Sequence, residues 1–163
     1  MQTGAASRTL ALVALAFALL TLAMAYPFSV SPATQVVADL PDTHLYIWTL
    51  AWDTHAFLHQ PFSIFDANIY YPYANTLAYS ENLIGSAFFA APVIWLTGNM
   101  VLAMNLVALL TCVLCGVGGF VLGRKLHLSV WAACLCGLVF AFAPPRFFRL
   151  GQLHMTAVEW IPF

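Results

Sequence analysis

MVLAMNLVALLTCVLCGVGGFVL, running from Met100 to Leu122, is followed by Gly123 and the cation pair Arg124-Lys125. A helix needs about 20 predominantly apolar residues, rising 1.5 Å each, to cross a ~30 Å hydrocarbon layer. This stretch is long enough, carries no charge and ends on two cations, so it reads as a membrane-spanning helix. The rest of the chain agrees with it. Of 163 residues, 63% are hydrophobic and only 7% charged, against about 25% charged in a typical soluble domain. Eleven charges cannot clothe a water-soluble surface of this size, and the same figures exclude a disordered chain. A formal net charge of −1 leaves no basic footprint for nucleic acid. The four cysteines all fall in apolar runs, which excludes a secreted disulfide scaffold. The class is integral membrane protein.

Charges punctuate the chain. Thirty uncharged residues separate Arg8 from Asp39, forty-two separate Glu81 from Arg124, and twenty separate Lys125 from Arg146. The reading is a single all-α membrane domain over 1–163, a polytopic transmembrane helical bundle. Spans are expected at 10–26, 100–123 and 128–144. An outer loop at 27–99 would hold interfacial juxtamembrane helices at 42–59 and 83–97. A second outer loop is expected at 145–156, with the start of a fourth span at 157–163. Because the chain stops inside that apolar run, an amino-terminal piece of a longer protein is expected. The first span has a rival reading: Arg8, an apolar run and Ala23-Met24-Ala25 also fit a cleavable signal peptide.

The segment 83–97 is ambiguous. It is apolar enough for lipid but has only about fifteen residues, contains Pro92 and meets Met100 after Gly98-Asn99. If it crosses, Arg124 and Lys125 lie outside and Arg146 and Arg149 inside; if it does not, the pairs exchange sides. The positive-inside count is three against two in both cases. Length favours the non-crossing version.

Ionisable groups collect in the loops. Asp39-Leu40-Pro41-Asp42-Thr43-His44 offers two carboxylates and an imidazole at the head of a predicted helix. Such groups suit a general base, or the oxygen and nitrogen ligands of a Mg²⁺ or Mn²⁺ ion; Asp42 also suits a plain helix cap. On that helix His44, Trp48, Trp52, His55 and His59 recur at helical spacing, and Asp42, Tyr46, Thr49 and Asp53 mark a more polar strip. Aromatic residues with polar tips fit the water–lipid boundary. Asp53-Thr54-His55 with His59 is a second, weaker metal motif. Arg146 and Arg149, three residues apart in Arg146-Phe-Phe-Arg-Leu-Gly-Gln-Leu-His154, can clamp a phosphate or snorkel to lipid headgroups. Glu81 either starts the 83–97 helix or lines a substrate groove. Cys112-x-x-Cys115 and Cys134-x-Cys136 sit in membrane runs as small apolar residues, and Gly119-x-x-x-Gly123 is a helix-packing stripe.

The order of these features resembles the amino-terminal part of bacterial GT-C-type membrane glycosyltransferases, including the protein mannosyltransferase-like and aminoarabinose-transferase-like groups. The likeness rests on Asp42-Thr-His-Leu-Tyr-Ile-Trp-Thr-Leu-Ala-Trp-Asp53, Tyr71-Pro72 through Ser80-Glu81-Asn82-Leu83, Leu96-Thr-Gly98-Asn99 and Phe140-Ala-Phe-Ala-Pro144-Pro-Arg146-Phe. It implies a multi-pass protein of the bacterial inner (plasma) membrane, with membrane lipid and a polyprenyl-linked sugar donor as partners. Asp42 matches the catalytic aspartate of such enzymes, and Arg146 and Arg149 would bind the donor phosphate. Asp39, His44 and Glu81 are further substrate or metal candidates. Many relatives carry Asp-Glu where this chain has Asp42-Thr43, so one acid of the pair is missing. The competing class is a non-enzymatic polytopic protein, a transporter or structural subunit. Transporters place polar residues within their spans, whereas these spans carry no charge before Glu159. Sugar, acceptor and oligomeric state stay open.

Overall fold

Proline and glycine set the helix boundaries in this chain. The computed structural model describes residues 2–36 and 41–163, with side chains from residue 7 onward. Asp39 lies outside the described residues. The α-helices are α1 (Gln2–Met24), α2 (Pro41–His59), α3 (Ile84–Thr97), α4 (Met100–Lys125), α5 (Val130–Phe142), α6 (Pro144–Phe147) and α7 (Leu153–Thr156). Single 3₁₀ turns occur at Phe28–Val30 and Thr76–Tyr79, and no strand occurs among the described residues.

Pro41 opens α2, where its missing N–H costs nothing. Gly98, left-handed at φ 68°, closes α3 and donates its N–H to Ile94 O at 2.8 Å. Ala143 is held extended ahead of Pro144, which ends α5 and restarts the chain as α6. Residues 157–163, expected to begin a span, form turns instead, closed by Val158 N–H to Thr156 O and Ile161 N–H to Val158 O.

Ser7–Met24, Met100–Lys125 and Val130–Phe147 are long and apolar enough to cross a membrane. At 14 residues α3 is not: 1.5 Å per residue gives about 21 Å.

The chain divides into two compact units. Unit 1 comprises Met1–Ser31, Ala108–Leu150 and Met155–Phe163. Its core gathers Val13 and Phe17 of α1, Cys115 and Phe120 of α4, and Ala133 and Ala141 of α5. Glycine permits the close approach. The Phe17 ring fills the place a side chain at Gly116 would need, and a methyl on Gly119 would lie 2.9 Å from Gly137 Cα. The Gly119/Gly123 stripe therefore faces α5, with Gly123 against Ala133. Pairing of Phe17 with Gly116, and of Thr9 with Phe120 and Arg124 around one cavity, makes α1 and α4 antiparallel. Gly119–Gly137 and Gly123–Ala133 make α4 and α5 antiparallel too.

Unit 2 comprises Pro32–Val107 and Gly151–His154, and α2 packs on α3 within it. Asn99, just ahead of α4, and Asn105 within it hold the chain segment at 32–35. Asn99 donates to Ala33 O at 2.9 Å, and buried Asn105 donates to Pro32 O at 2.7 Å and Gln35 O at 2.6 Å. Trp52 Nε1 donates to Ile64 O at 2.8 Å, which ties the following loop to α2. That loop closes on itself through Leu77 N–H to Phe65 O and Asn75 N–H to Asp66 Oδ1.

Candidate active site

The strip Asp42, Tyr46, Thr49 and Asp53 is the inward face of α2. Tyr46, Thr49 and Asp53 are all at most 2% exposed, while Asp42 at the helix start stays open to solvent. The chain segment Gly151–His154, more than a hundred residues away in sequence, belongs to the same unit and meets this face. Gln152 Nε2 donates to Asp42 Oδ2 at 2.8 Å. The His154 ring lies against Tyr46, with centroids 4.9 Å apart and planes tilted by 42°. The Tyr46 hydroxyl is pushed up to about 12, first by burial and then by the negative charges of Glu81 and Asp42. Asp42, Tyr46, Gln152 and His154 form a polar constellation in which an amide donates to the open carboxylate.

Gln152 and His154 were not legible as site residues. The only signal for them is that polar residues alternate with Leu153 just after Arg149, and nothing local points that alternation at α2. Glu81 is exposed and accepts from Ser80 Oγ at 3.3 Å. The α3 helix is started not by Glu81 but by its neighbour, as Asn82 Oδ1 accepts from Ile84 N–H at 2.9 Å. His44 is exposed on the first turn of α2.

Asp53 is a second group that sequence reading placed too simply. It is fully buried; Oδ1 accepts from Asn82 Nδ2 at 3.4 Å, and Oδ2 has no partner. Burial raises its carboxyl to about 6, against the opposing effect of hydrogen bonds from Asn82 and the Leu83 backbone. His55 and His59, grouped with it in the sequence as a metal motif, lie on the exposed side of α2. Their rings stack at 4.2 Å and 13°, continuing a ladder through Trp52 and Trp48. Among the described residues no group of three or more His, Cys, Asp or Glu side chains comes together; Asp39, a ligand candidate beside Asp42 and His44, lies outside them.

The two arginines differ. Arg146 is 9% exposed, and four of its donors are engaged within unit 1. Nη1 donates to Ala141 O at 2.7 Å and to Cys112 Sγ at 3.4 Å. Nη2 donates to Thr111 Oγ1 at 3.0 Å and Thr156 O at 2.9 Å. Only Nε lacks a partner. Arg146 therefore ties α4, the end of α5 and the 156 turn together, satisfying carbonyls freed where α5 breaks. Arg149 is exposed, with Nη1 donating to Met155 Sδ at 3.2 Å. Glu159 is 1% exposed, and its Oε2 has no partner.

No model of a known protein family, no curated protein and no solved structure matches this chain.

Proposed function

We propose that this protein is a multi-pass membrane glycosyltransferase, moving a sugar from a polyprenyl-phosphate or diphosphate carrier to an acceptor hydroxyl on the outer face of a bacterial plasma membrane. The observation that carries the reading is the solvent-open Asp42 carboxylate at the head of α2, which accepts from Gln152 beside Tyr46 and His154.

The chemistry follows from the carboxylate. Asp42 takes the proton of the acceptor hydroxyl as that oxygen bonds to the anomeric carbon. The bond from that carbon to the carrier phosphate breaks in the same displacement, the phosphate keeps the electron pair, and the configuration inverts. Gln152 orients the carboxylate before the hydroxyl arrives. The departing phosphate calls for positive charge. Of the two arginines expected to supply it, Arg149 is exposed and Arg146 is enclosed by its own fold.

Chain direction supports the topology. If α1 and α4 both cross, their opposite directions require an even number of crossings between them. The one apolar helix in that interval, α3, then does not cross, in keeping with its length. Arg8, Arg124 and Lys125 share one face, which the positive-inside rule makes cytoplasmic; the segment after α1 then emerges outside, where a lipid-carried sugar waits.

The non-enzymatic reading draws on one observation, the engagement of Arg146 by its own fold. Sugar transfer separates the two. With a panel of polyprenyl-phosphate hexoses and pentoses, Asp42→Asn is expected to lower transfer by about 100-fold or more while leaving the protein's abundance in the membrane unchanged. A variant that transfers at the wild-type rate sinks the assignment.

A further inference from the structure

We infer that the end of unit 1 where α1 begins and α4 ends binds the phosphate of an anionic phospholipid. A cavity of about 390 Å³ opens there, lined by Thr9 and Leu10 of α1, by Phe120, Val121, Arg124 and Lys125 of α4, and by Val130 of α5. The lining is divided by chemistry. Leu10, Phe120, Val121 and Val130 make an apolar wall, and the two cations stand at its rim with the Thr9 side chain. An amphiphile with a negative head and a hydrocarbon tail has the matching division.

The cations have capacity to spare. Arg124 gives Nη1 to the Leu128 carbonyl, which leaves the rest of its planar fork for a phosphate oxygen. Lys125 is exposed, makes no hydrogen bond or ion pair among the described residues, and brings a point charge with three donors. Arg8, next to Thr9 in the chain, is also exposed and adds a third positive charge to this end. Among the described residues of unit 1 no exposed acidic side chain competes for them, because its one acid, Glu159, is buried. The balance also selects the headgroup. A choline or ethanolamine would bring its own cation towards Arg124 and Lys125, whereas a glycerol-type headgroup leaves the phosphate charge uncompensated. Basic pockets between membrane helices recognise anionic lipids by this means. The apolar wall belongs to helices long enough to cross a bilayer, and this selects a lipid over free phosphate.

The test is native mass spectrometry of the protein in detergent, titrated separately with phosphatidylglycerol, phosphatidylcholine and inorganic phosphate. One phosphatidylglycerol is expected to be retained at least about 10-fold more tightly than phosphatidylcholine, and millimolar phosphate is expected not to displace it. Lys125→Gln, at an exposed position, should lower that preference at least about threefold. Arg124→Gln/Lys125→Gln should abolish it. Equal retention of the two lipids, an unchanged preference in Lys125→Gln, or displacement by phosphate would each overturn the site. Because the readout is lipid retention, its failure leaves the sugar-transfer reading where it stood.

Discussion

Units 1 and 2 divide the charges of this chain almost completely. All five Lys and Arg residues fall in the sequence ranges of unit 1, and five of the six acids and four of the five histidines fall in those of unit 2. The difference goes beyond sign. In unit 1 the buried polar groups serve the fold: Arg146 collects carbonyls at a helix break, and glycines let α1, α4 and α5 touch. In unit 2 polar side chains are gathered on one face of α2, with Asp53 buried and Asp42 open to solvent at the helix head. Both units keep buried polar atoms without partners, Glu159 Oε2 in one and Asp53 Oδ2 in the other, at a cost in stability. The same rare resource, an ionisable side chain in an apolar protein, is enclosed as a structural tie at Arg146 in one region and set along a helix face from Asp42 to Asp53 in the other.

The sharpest way to break that contrast is Arg146→Leu. It removes four hydrogen bonds at once and leaves the Ala141 carbonyl without its side-chain donor, while Thr111 keeps its bond to Ala108 O and Thr156 O its bond from Val158 N–H, at an expected cost of about 4 kcal/mol of unfolding free energy in detergent. Arg149→Gln should change the same quantity by less than about 0.5 kcal/mol. Equal effects would erase the distinction between a structural and an exposed arginine.

Asp53 tests unit 2 by pH. Its carboxyl is raised from 3.8 to about 6 in the fold, so the folded state holds a proton that the unfolded chain has lost. Stability should therefore fall as pH rises from about 4 to 6 and level off above that. Asp53→Asn keeps the shape, removes the buried charge, and should raise stability at pH 7 by about 2–3 kcal/mol while flattening this slope. Unfolding curves at pH 4.5 and 7.5 decide it: a wild-type slope of the opposite sign, or none, would remove Asp53 from the buried acids.

Gly137→Ala is the mildest probe of unit 1. The added methyl would overlap the Gly116 carbonyl and the Phe17 ring, so a loss of about 1–3 kcal/mol is expected. A neutral result in the same unfolding assay would mean that α4 and α5 do not touch at this register.

Much of this was legible in advance. The uncharged windows located α1, α4 and α5, Pro41 located the start of α2, and Gly98-Asn99 separated α3 from α4, because all of these depend on residues within a few positions of one another. The site was legible only in part. Asp42 stands out beside Pro41 at a helix opening, and the polar strip to Asp53 follows from helical period. That the strip is the buried face does not follow, since it depends on what packs against it.

Hydrophobic length and the placement of charge are properties of the chain read in order, and they determined by themselves that this is a helical protein with segments fit to cross a bilayer. Tertiary structure alone decided that α1 and α4 run antiparallel, that Arg146 is enclosed while Arg149 is open, and that Gln152 reaches an aspartate 110 positions earlier. The reason is physical: burial and pairing are fixed by close packing between segments far apart in sequence, and no local pattern encodes which distant side chain will fill a given contact.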